Sequence, residues 1–299
     1  MKNAKSYLRV LHLLGLLTSI SVAQVPDFSK VDYMHPGDSV NIISLINNGI
    51  KLNKGKVIAW FPKDSLSEDR MNGILDTLQM GITAAEKYIR APRSWQVQQK
   101  ESPYTYYFRT DRFISHASHA GFVSIPFWRI KNGKAPWLHE AIHEMLNTKA
   151  RHSVSEKEYA EYEPHVWLHE GLADYVAIQV SQQYDLPRFD PLANAIAGNV
   201  DSLCKTDLIR ERRAYILSFV GRKGIMPELF SPERMSYAPA FYHCSCSFVK
   251  YLIKQQGLEP LLNSISASPR EHEALLKLIR PSIDVLKSTW MKELKLNDN

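Results

Sequence analysis

The amino-acid sequence predicts an α+β protein, with a mixed, β-rich N-terminal half followed by a mainly helical C-terminal half. Three short runs of aromatic and β-branched residues have the composition of strands, and they cover residues 56–61, 104–108 and 122–125. Beyond residue 135, apolar residues recur at the three- and four-residue spacing of helices. We therefore assign residues 24–135 to a mixed α/β subdomain and residues 136–299 to a helical subdomain.

The N-terminal half also contains one long helical pattern. Residues 65–89 read as a helix with Ser67 near its start and apolar side chains along one face: Met71, Ile74, Leu75, Leu78 and Ile82. The segment Lys131-Asn-Gly-Lys134 predicts a turn before the next helix. His116 and His119 are three residues apart, but no third ligand or helical pattern accompanies them. We interpret them as loop or surface histidines.

The segment His139-Glu140-x-x-His143 has the spacing of a metal-binding motif. Two histidines four residues apart on a helix project from one face, so both imidazoles can reach a single metal ion. Pro136 suits the first helical position, and an apolar stripe covers the opposite side of this helix: Trp137, Leu138, Ala141, Ile142, Met145 and Leu146. The alternative is an amphipathic helix whose His/Glu face is merely solvated.

A second helical segment, residues 164–180, supplies two carboxylates on one face. Pro164 suits its start, and Glu170 and Asp174 are spaced i and i+4. We predict that Glu170 is a third metal ligand and that Asp174 accepts a hydrogen bond from the non-ligating nitrogen of a metal-bound histidine. Gly171 would allow the two helices to approach closely. The alternative interpretation is an ordinary acidic helix face.

Together, these segments resemble a known family of enzymes. His139-Glu140-x-x-His143 followed by the Trp-Leu-x-Glu-Gly-Leu-Ala-x-Tyr run of residues 167–175 is similar to the gluzincin metallopeptidases, the clan of thermolysin-like and M1-type enzymes. The closest likeness is to a small secreted bacterial branch. Residues 242–252 look like that branch's Y-x5-F-V-x-Y-L helix, and residues 283–296 look like its closing helix. The similarity begins near residue 121 and is weak between residues 186 and 235.

This resemblance implies a zincin-like fold with a zinc cleft between the two halves. It implies one Zn²⁺ held by His139, His143 and Glu170, and a zinc-bound water activated by the base Glu140. A tyrosine at the start of a downstream helix donates to the oxyanion in several gluzincins. Tyr242 matches that position, and the runners-up in this chain are Tyr237 and His243.

The resemblance also bears on the substrate. In the resembled fold, an edge strand near residues 122–128 lines the cleft and pairs with an extended peptide. The expected function is an exported zinc metallopeptidase whose substrate is a peptide or protein. The absence of a Gly-x-Met-Glu-Asn segment makes an aminopeptidase less favoured. Two alternatives stay open: a catalytically inactive, zinc-stabilised envelope or extracellular binding protein, and an amidase that acts on a cell-wall peptide. The intact Glu140 favours activity.

The first 23 residues read as a secretory signal peptide. Lys2, Lys5 and Arg9 precede the apolar run of residues 11–17, and cleavage is expected after Ala23. This predicts a periplasmic or extracellular protein, although an uncleaved N-terminal anchor is an alternative. The formal net charge of +6 (37 basic minus 31 acidic residues) falls to +3 (34 minus 31) without these residues. So small a charge, with no basic stripe, argues against nucleic-acid binding.

The chain has 3 cysteines, which is too few for a disulfide-rich scaffold. In an oxidising compartment, Cys204 could pair with either Cys244 or Cys246. A reduced, buried pair on one helix is the alternative, and a Cys-x-Cys metal site would lack further ligands.

Overall fold

We analysed a computed structural model that describes residues 38–89, 104–112, 114–118, 122–153, 165–185, 199–210, 213–223, 235–265 and 271–296. The predicted signal peptide, His119 and Pro164 lie outside the described residues. Within these ranges the protein is mainly helical and contains one five-stranded sheet, so the coarse α+β prediction is confirmed.

The sheet has a parallel centre and an antiparallel strand at each edge. Its strands are β1 (Ile50–Lys54), β2 (Val57–Phe61), β3 (Tyr104–Arg109), β4 (His116–Ser118) and β5 (Phe122–Pro126). The spatial order is β1-β2-β3-β5-β4, in which β2, β3 and β5 run parallel. The interior strands are almost continuously buried, as expected when both faces of a sheet are covered.

One strand prediction needs correction. We expected the edge strand within residues 122–128, but β5 is paired on both sides, with β3 and with β4. The edge strand is β4, and residues Phe127–Lys131 form a short helix, α3, instead of continuing the strand. His116 lies on β4 and is only 9% exposed, so it is not a surface or loop histidine.

The helices before the candidate site are α1 (Asp38–Asn48), α2 (Glu68–Ile89) and the short α3. The two site helices are α4 (Trp137–Ser153) and α5 (Val166–Tyr184). The remaining helices are α6 (Val200–Arg210), α7 (Arg213–Phe219), α8 (Ala238–Gln256), α9 (Leu258–Ile265), α10 (Glu271–Leu278) and α11 (Ile283–Glu293). The predicted helix of residues 65–89 begins as α2 at Glu68, where Ser67 accepts the first backbone hydrogen bond from Met71. None of the described helices has the length and apolar character needed to cross a membrane.

A large hydrophobic core runs from one face of the sheet to the C-terminal helices and fixes the site helices, and a smaller cluster packs α1 against the sheet. The predicted apolar stripe of α4 is wholly buried, and the Trp137 ring lies where a side chain on Gly81 of α2 would have to go. Gly171 does permit a close helix contact, but the partner is α8 and not α4. A Cβ at Gly171 would lie 2.6 Å from the carbonyl oxygen of Ser245. The core thereby holds α5 between α4 and α8.

Candidate metal centre

Three side chains from α4 and α5 converge on one point. The Nε2 atoms of His139 and His143 are 3.0 Å apart. Oε2 of Glu170 is 3.2 Å from each of these nitrogens. Two of the three residues share a face because they are four apart on α4, and the packing of α5 against α4 brings in the third. Among the described residues, this is the group of His, Cys, Asp and Glu side chains that could hold a metal ion.

The ligand triangle, as we call His139, His143 and Glu170, has the dimensions that a small divalent cation requires. Ligand atoms about 2.05 Å from a tetrahedral zinc are separated by about 3.3 Å, close to the observed 3.0–3.2 Å. The side chains are 11%, 12% and 18% exposed, so protein surrounds them while a small part of each stays accessible to solvent. Two imidazoles and one carboxylate form a donor set found in catalytic zinc sites, which keep a position for water or substrate.

Asp174 makes the contact predicted for it. Its Oδ1 atom lies 2.7 Å from Nδ1 of His139, and the side chain is buried one helical turn beyond Glu170. Because a carboxylate only accepts, the Nδ1–H of His139 donates to it. In the neutral imidazole this leaves the lone pair of Nε2 directed toward the ligand triangle, as a metal ligand requires.

The charges of the site act on each other strongly. Burial lowers the pKa of His139, but Asp174 and Glu170 outweigh it and hold that pKa well above its usual range. Burial raises the pKa of the Glu170 carboxyl, yet His143 and His139 reverse this and hold it well below its usual range. Two carboxylates thus favour positive charge at the centre of the triangle. A divalent cation would satisfy that preference without a proton.

Glu140 lies beside the ligand triangle and is more buried than the three residues that form it. It is 6% exposed, and burial raises the pKa of its carboxyl, with Glu170 adding to that rise. Three histidines oppose this rise in the pKa of Glu140: His139, His143 and His116. Since His116 lies on β4, the edge strand is close enough to Glu140 for their charges to interact. A carboxylate whose pKa is raised toward neutrality is a better proton acceptor and donor.

The three candidates for an oxyanion donor occupy different places. The Tyr242 ring is 6.4 Å from the His139 ring, centroid to centroid, and it is half-buried at the start of α8. Tyr237 packs instead against Tyr215, with ring centroids 5.5 Å apart. Nδ1 of His243 is 2.7 Å from Oδ2 of Asp207 on α6. Of the three, Tyr242 is the one with a described ring contact to the ligand triangle.

A buried polar network that the sequence does not indicate lies behind α5. Nε2 of His169 lies 2.9 Å from one oxygen of Glu271, whose other oxygen accepts the backbone N–H of His165 at 2.9 Å. His165 also accepts the indole N–H of Trp167 and lies 3.0 Å from His272. The network ties α10 to the start of α5, next to Glu170. Its partners are about 100 residues apart in the chain, so no local spacing could have indicated it.

The arrangement as a whole can hold a divalent cation beside a buried carboxyl group and a half-buried tyrosine. That combination provides a Lewis acid site, a proton acceptor and a hydrogen-bond donor within one region. No protein-family model matches the chain, and no curated protein or solved structure matches it either.

Proposed function

We propose that this protein is an exported, zinc-dependent metallopeptidase with a zincin-like fold. The observation that carries the proposal is the ligand triangle with its flanking Asp174 and Glu140. A structural zinc site uses four protein ligands, whereas three ligands with an open side suit catalysis. The histidine and carboxylate donors favour zinc over the harder magnesium and calcium ions, which prefer oxygen ligands.

Each residue has a distinct role in the proposed reaction. His139, His143 and Glu170 would hold the metal, which when bound supplies a Lewis acid that polarises the scissile carbonyl and acidifies a water. Glu140 accepts the proton of the attacking water and then delivers it to the leaving amine, a task that its raised pKa supports. Tyr242 donates its hydroxyl to the developing oxyanion. Asp174 orients His139 throughout.

The edge strand β4 offers a way to hold the substrate. It is a border strand of the sheet, it packs against α4, and its His116 lies within electrostatic reach of Glu140. An extended peptide that adds to this edge would lie alongside the ligand triangle, with its backbone hydrogen-bonded to β4. This supports a substrate class of unfolded or flexible peptide segments.

The test combines metal content with peptide cleavage. The wild type, His143→Ala and Glu140→Gln would be purified, and the zinc per chain and the cleavage of a quenched-peptide library would be measured. We expect one zinc per chain in the wild type and in Glu140→Gln, much less in His143→Ala, and chelator-sensitive cleavage by the wild type alone.

Other outcomes identify other functions. Zinc without cleavage would support a zinc-stabilised binding protein, and cleavage of cell-wall peptides alone would support an amidase. Full activity of Glu140→Gln would refute the proposed mechanism. If the wild type takes up no metal, the residues of the ligand triangle are only polar side chains on the faces of α4 and α5.

A further inference from the structure

Helices α6 and α8 are joined along a seam of three contacts. At one end, Oδ1 of Asp201 accepts the Ser247 hydroxyl at 2.7 Å, and at the other end Asp207 pairs with His243 at 2.7 Å. Between them, the sulfur atoms of Cys204 and Cys244 are 2.8 Å apart. Residues 201, 204 and 207 are three apart and share one face of α6. The helices are therefore aligned on both sides of the two thiols.

We propose that Cys204 and Cys244 form a disulfide bond when the chain folds in the presence of a disulfide oxidant, and that Cys246 remains a thiol. The two sulfurs lie closer than the van der Waals contact of separate sulfur atoms, although both side chains are free cysteines here. Their side chains already point at each other across the seam. To form a bond of about 2.05 Å, the two sulfurs need to approach each other by only about 0.8 Å.

The structure distinguishes Cys244 from Cys246, which the sequence could not. Successive side chains on a helix are about 100° apart, so residues two apart point in nearly opposite directions. Cys244 faces α6, where its sulfur meets that of Cys204. Cys246 is buried, and Asp174 on α5 raises its pKa more than Asp201 and Cys204 on α6 do. Burial is the larger cause of that raised pKa. Burial raises the pKa of Cys204 as well, so the direction of the side chain, and not its pKa, assigns the bond to Cys244.

The chemistry is a pair of thiol–disulfide exchanges. The thiolate of one cysteine attacks a sulfur of the oxidant, for which oxidised glutathione is the probe, and releases one glutathione thiolate. The thiolate of the second cysteine then attacks the mixed disulfide and releases the other glutathione. The two cysteine protons pass to the two glutathione thiolates, and the two electrons reduce the glutathione disulfide. Because burial raises the pKa of Cys204 in the folded protein, the exchange takes place before α6 and α8 are fully packed.

The bond would fasten the helix that carries Tyr242. Cys244 is two residues beyond Tyr242 on α8, and the bond would close a loop between positions 40 residues apart. A cross-link over such a loop reduces the entropy of the unfolded chain and stabilises the fold, which for a chain of this size raises Tm by about 10 °C.

The experiment uses the full chain, unfolded and reduced, then refolded with a mixture of reduced and oxidised glutathione. Free thiols are counted in denaturant, and the cross-link is located by peptide mass mapping. We expect 1 of the 3 thiols to remain free, and a disulfide-linked peptide pair that contains Cys204 and Cys244. Three free thiols, or a linkage that includes Cys246, would overturn the proposal.

Serine variants supply a matched control. Cys246→Ser should leave no free thiol, and its Tm should fall by about 10 °C on addition of reductant, as in the wild type. Cys204→Ser and Cys244→Ser should each leave two thiols, and their Tm should not respond to reductant. A Tm of the wild type that is equally insensitive to reductant would contradict the stabilising role. If a serine variant fails to fold, the thiol count and peptide map of the wild type still decide the question.

Discussion

His139 and Asp174 form a hydrogen-bonded pair that determines which imidazole nitrogen faces the ligand triangle. Oδ1 of Asp174 is 2.7 Å from Nδ1 of His139, and the opposite nitrogen, Nε2, is 3.2 Å from Glu170. The pair joins α4 to α5, so one contact sets both the tautomer of His139 and the position of Glu170 relative to it. Carboxylates in this position tune histidine ligands in many zinc sites.

We predict that Asp174→Asn lowers the zinc affinity by about 10- to 100-fold. An amide oxygen accepts the Nδ1–H of His139 more weakly than a carboxylate does, and without the negative charge the imidazole is a less basic ligand. A chelator competition at fixed pH measures the affinity. Asp207→Asn is the matched control, since Asp207 also lies 2.7 Å from a histidine Nδ1, that of His243. Equal losses of affinity in both variants would show that the effect is not specific to the ligand triangle.

We predict that Tyr242→Phe lowers kcat by about 100-fold while the zinc content stays at the wild-type level, because the hydroxyl acts on the oxyanion and not on the metal. The measurement is steady-state cleavage of a peptide that the wild type cleaves, with zinc quantified on the same sample. Tyr237→Phe is the control, since the described ring contact of Tyr237 is with Tyr215 and not with the ligand triangle. An unchanged kcat in Tyr242→Phe would assign the donor role to another group.

Local patterns are sufficient for the three interior strands, the two site helices and the two histidines of the ligand triangle, whereas Glu170 reaches them only through the packing of α5 against α4. The i, i+4 spacing of His139 and His143 puts both side chains on the same face of one helix. The three interior strands are indicated by their content of aromatic and β-branched residues. The pairing order of the strands depends on contacts between distant segments. The strand β4 has only three residues, too few for a periodic signal. The sequence therefore predicts a loop or surface position for His116 and places the edge strand within residues 122–128, although the true edge is β4.

Local sequence patterns also do not indicate which helices pack against each other. The sequence indicated that Gly171 allows a close approach, but the choice of α8 over α4 follows from the whole core. The Glu271 network joins residues about 100 positions apart, and the choice between Cys244 and Cys246 depends on how α6 lies against α8. Such facts require the tertiary structure, because sequence spacing constrains only neighbours on one element.

We predict that Glu271 makes the stability of the fold decrease with rising pH. Burial raises the pKa of its carboxyl from 4.5 to about 8, although the N–H of His165 opposes this. Between these values the unfolded chain releases the proton while the folded protein keeps it, so the free energy of unfolding falls as pH rises. Burial also lowers the pKa of His165 to about 4, and this acts in the opposite direction between its usual 6.5 and about 4. The raised pKa of His139 acts in the same direction as that of Glu271, so the difference between the wild type and a Glu271 variant isolates the contribution of Glu271.

Urea unfolding of the wild type and Glu271→Gln between pH 6.5 and 8 tests this prediction. We expect the wild type to lose stability relative to Glu271→Gln across that range, because glutamine does not titrate. Glu273→Gln on the same helix is the control, since Glu273 is exposed and outside the network. Parallel pH profiles for the wild type and Glu271→Gln would refute the raised pKa.

The last prediction concerns the contact that positions α5. Gly171 directly follows Glu170, and a Cβ at this position would lie 2.6 Å from the Ser245 carbonyl oxygen and 2.7 Å from a Val249 methyl. We predict that Gly171→Ala destabilises the fold by about 1–3 kcal/mol, because a backbone carbonyl on α8 cannot move aside.

The control is Gly73→Ala on α2, where nothing lies within 4 Å of the added Cβ. An alanine there should stabilise the fold by about 0.5–1 kcal/mol through helix propensity alone. Urea unfolding measures both changes in stability. Zinc competition on the same samples separates a loss of stability from a displacement of Glu170. If α5 is pushed away from α8, Glu170 is displaced and the zinc affinity falls in Gly171→Ala but not in Gly73→Ala. A stable Gly171→Ala variant with normal zinc affinity would mean that α5 and α8 are less closely packed than the Gly171 contact requires.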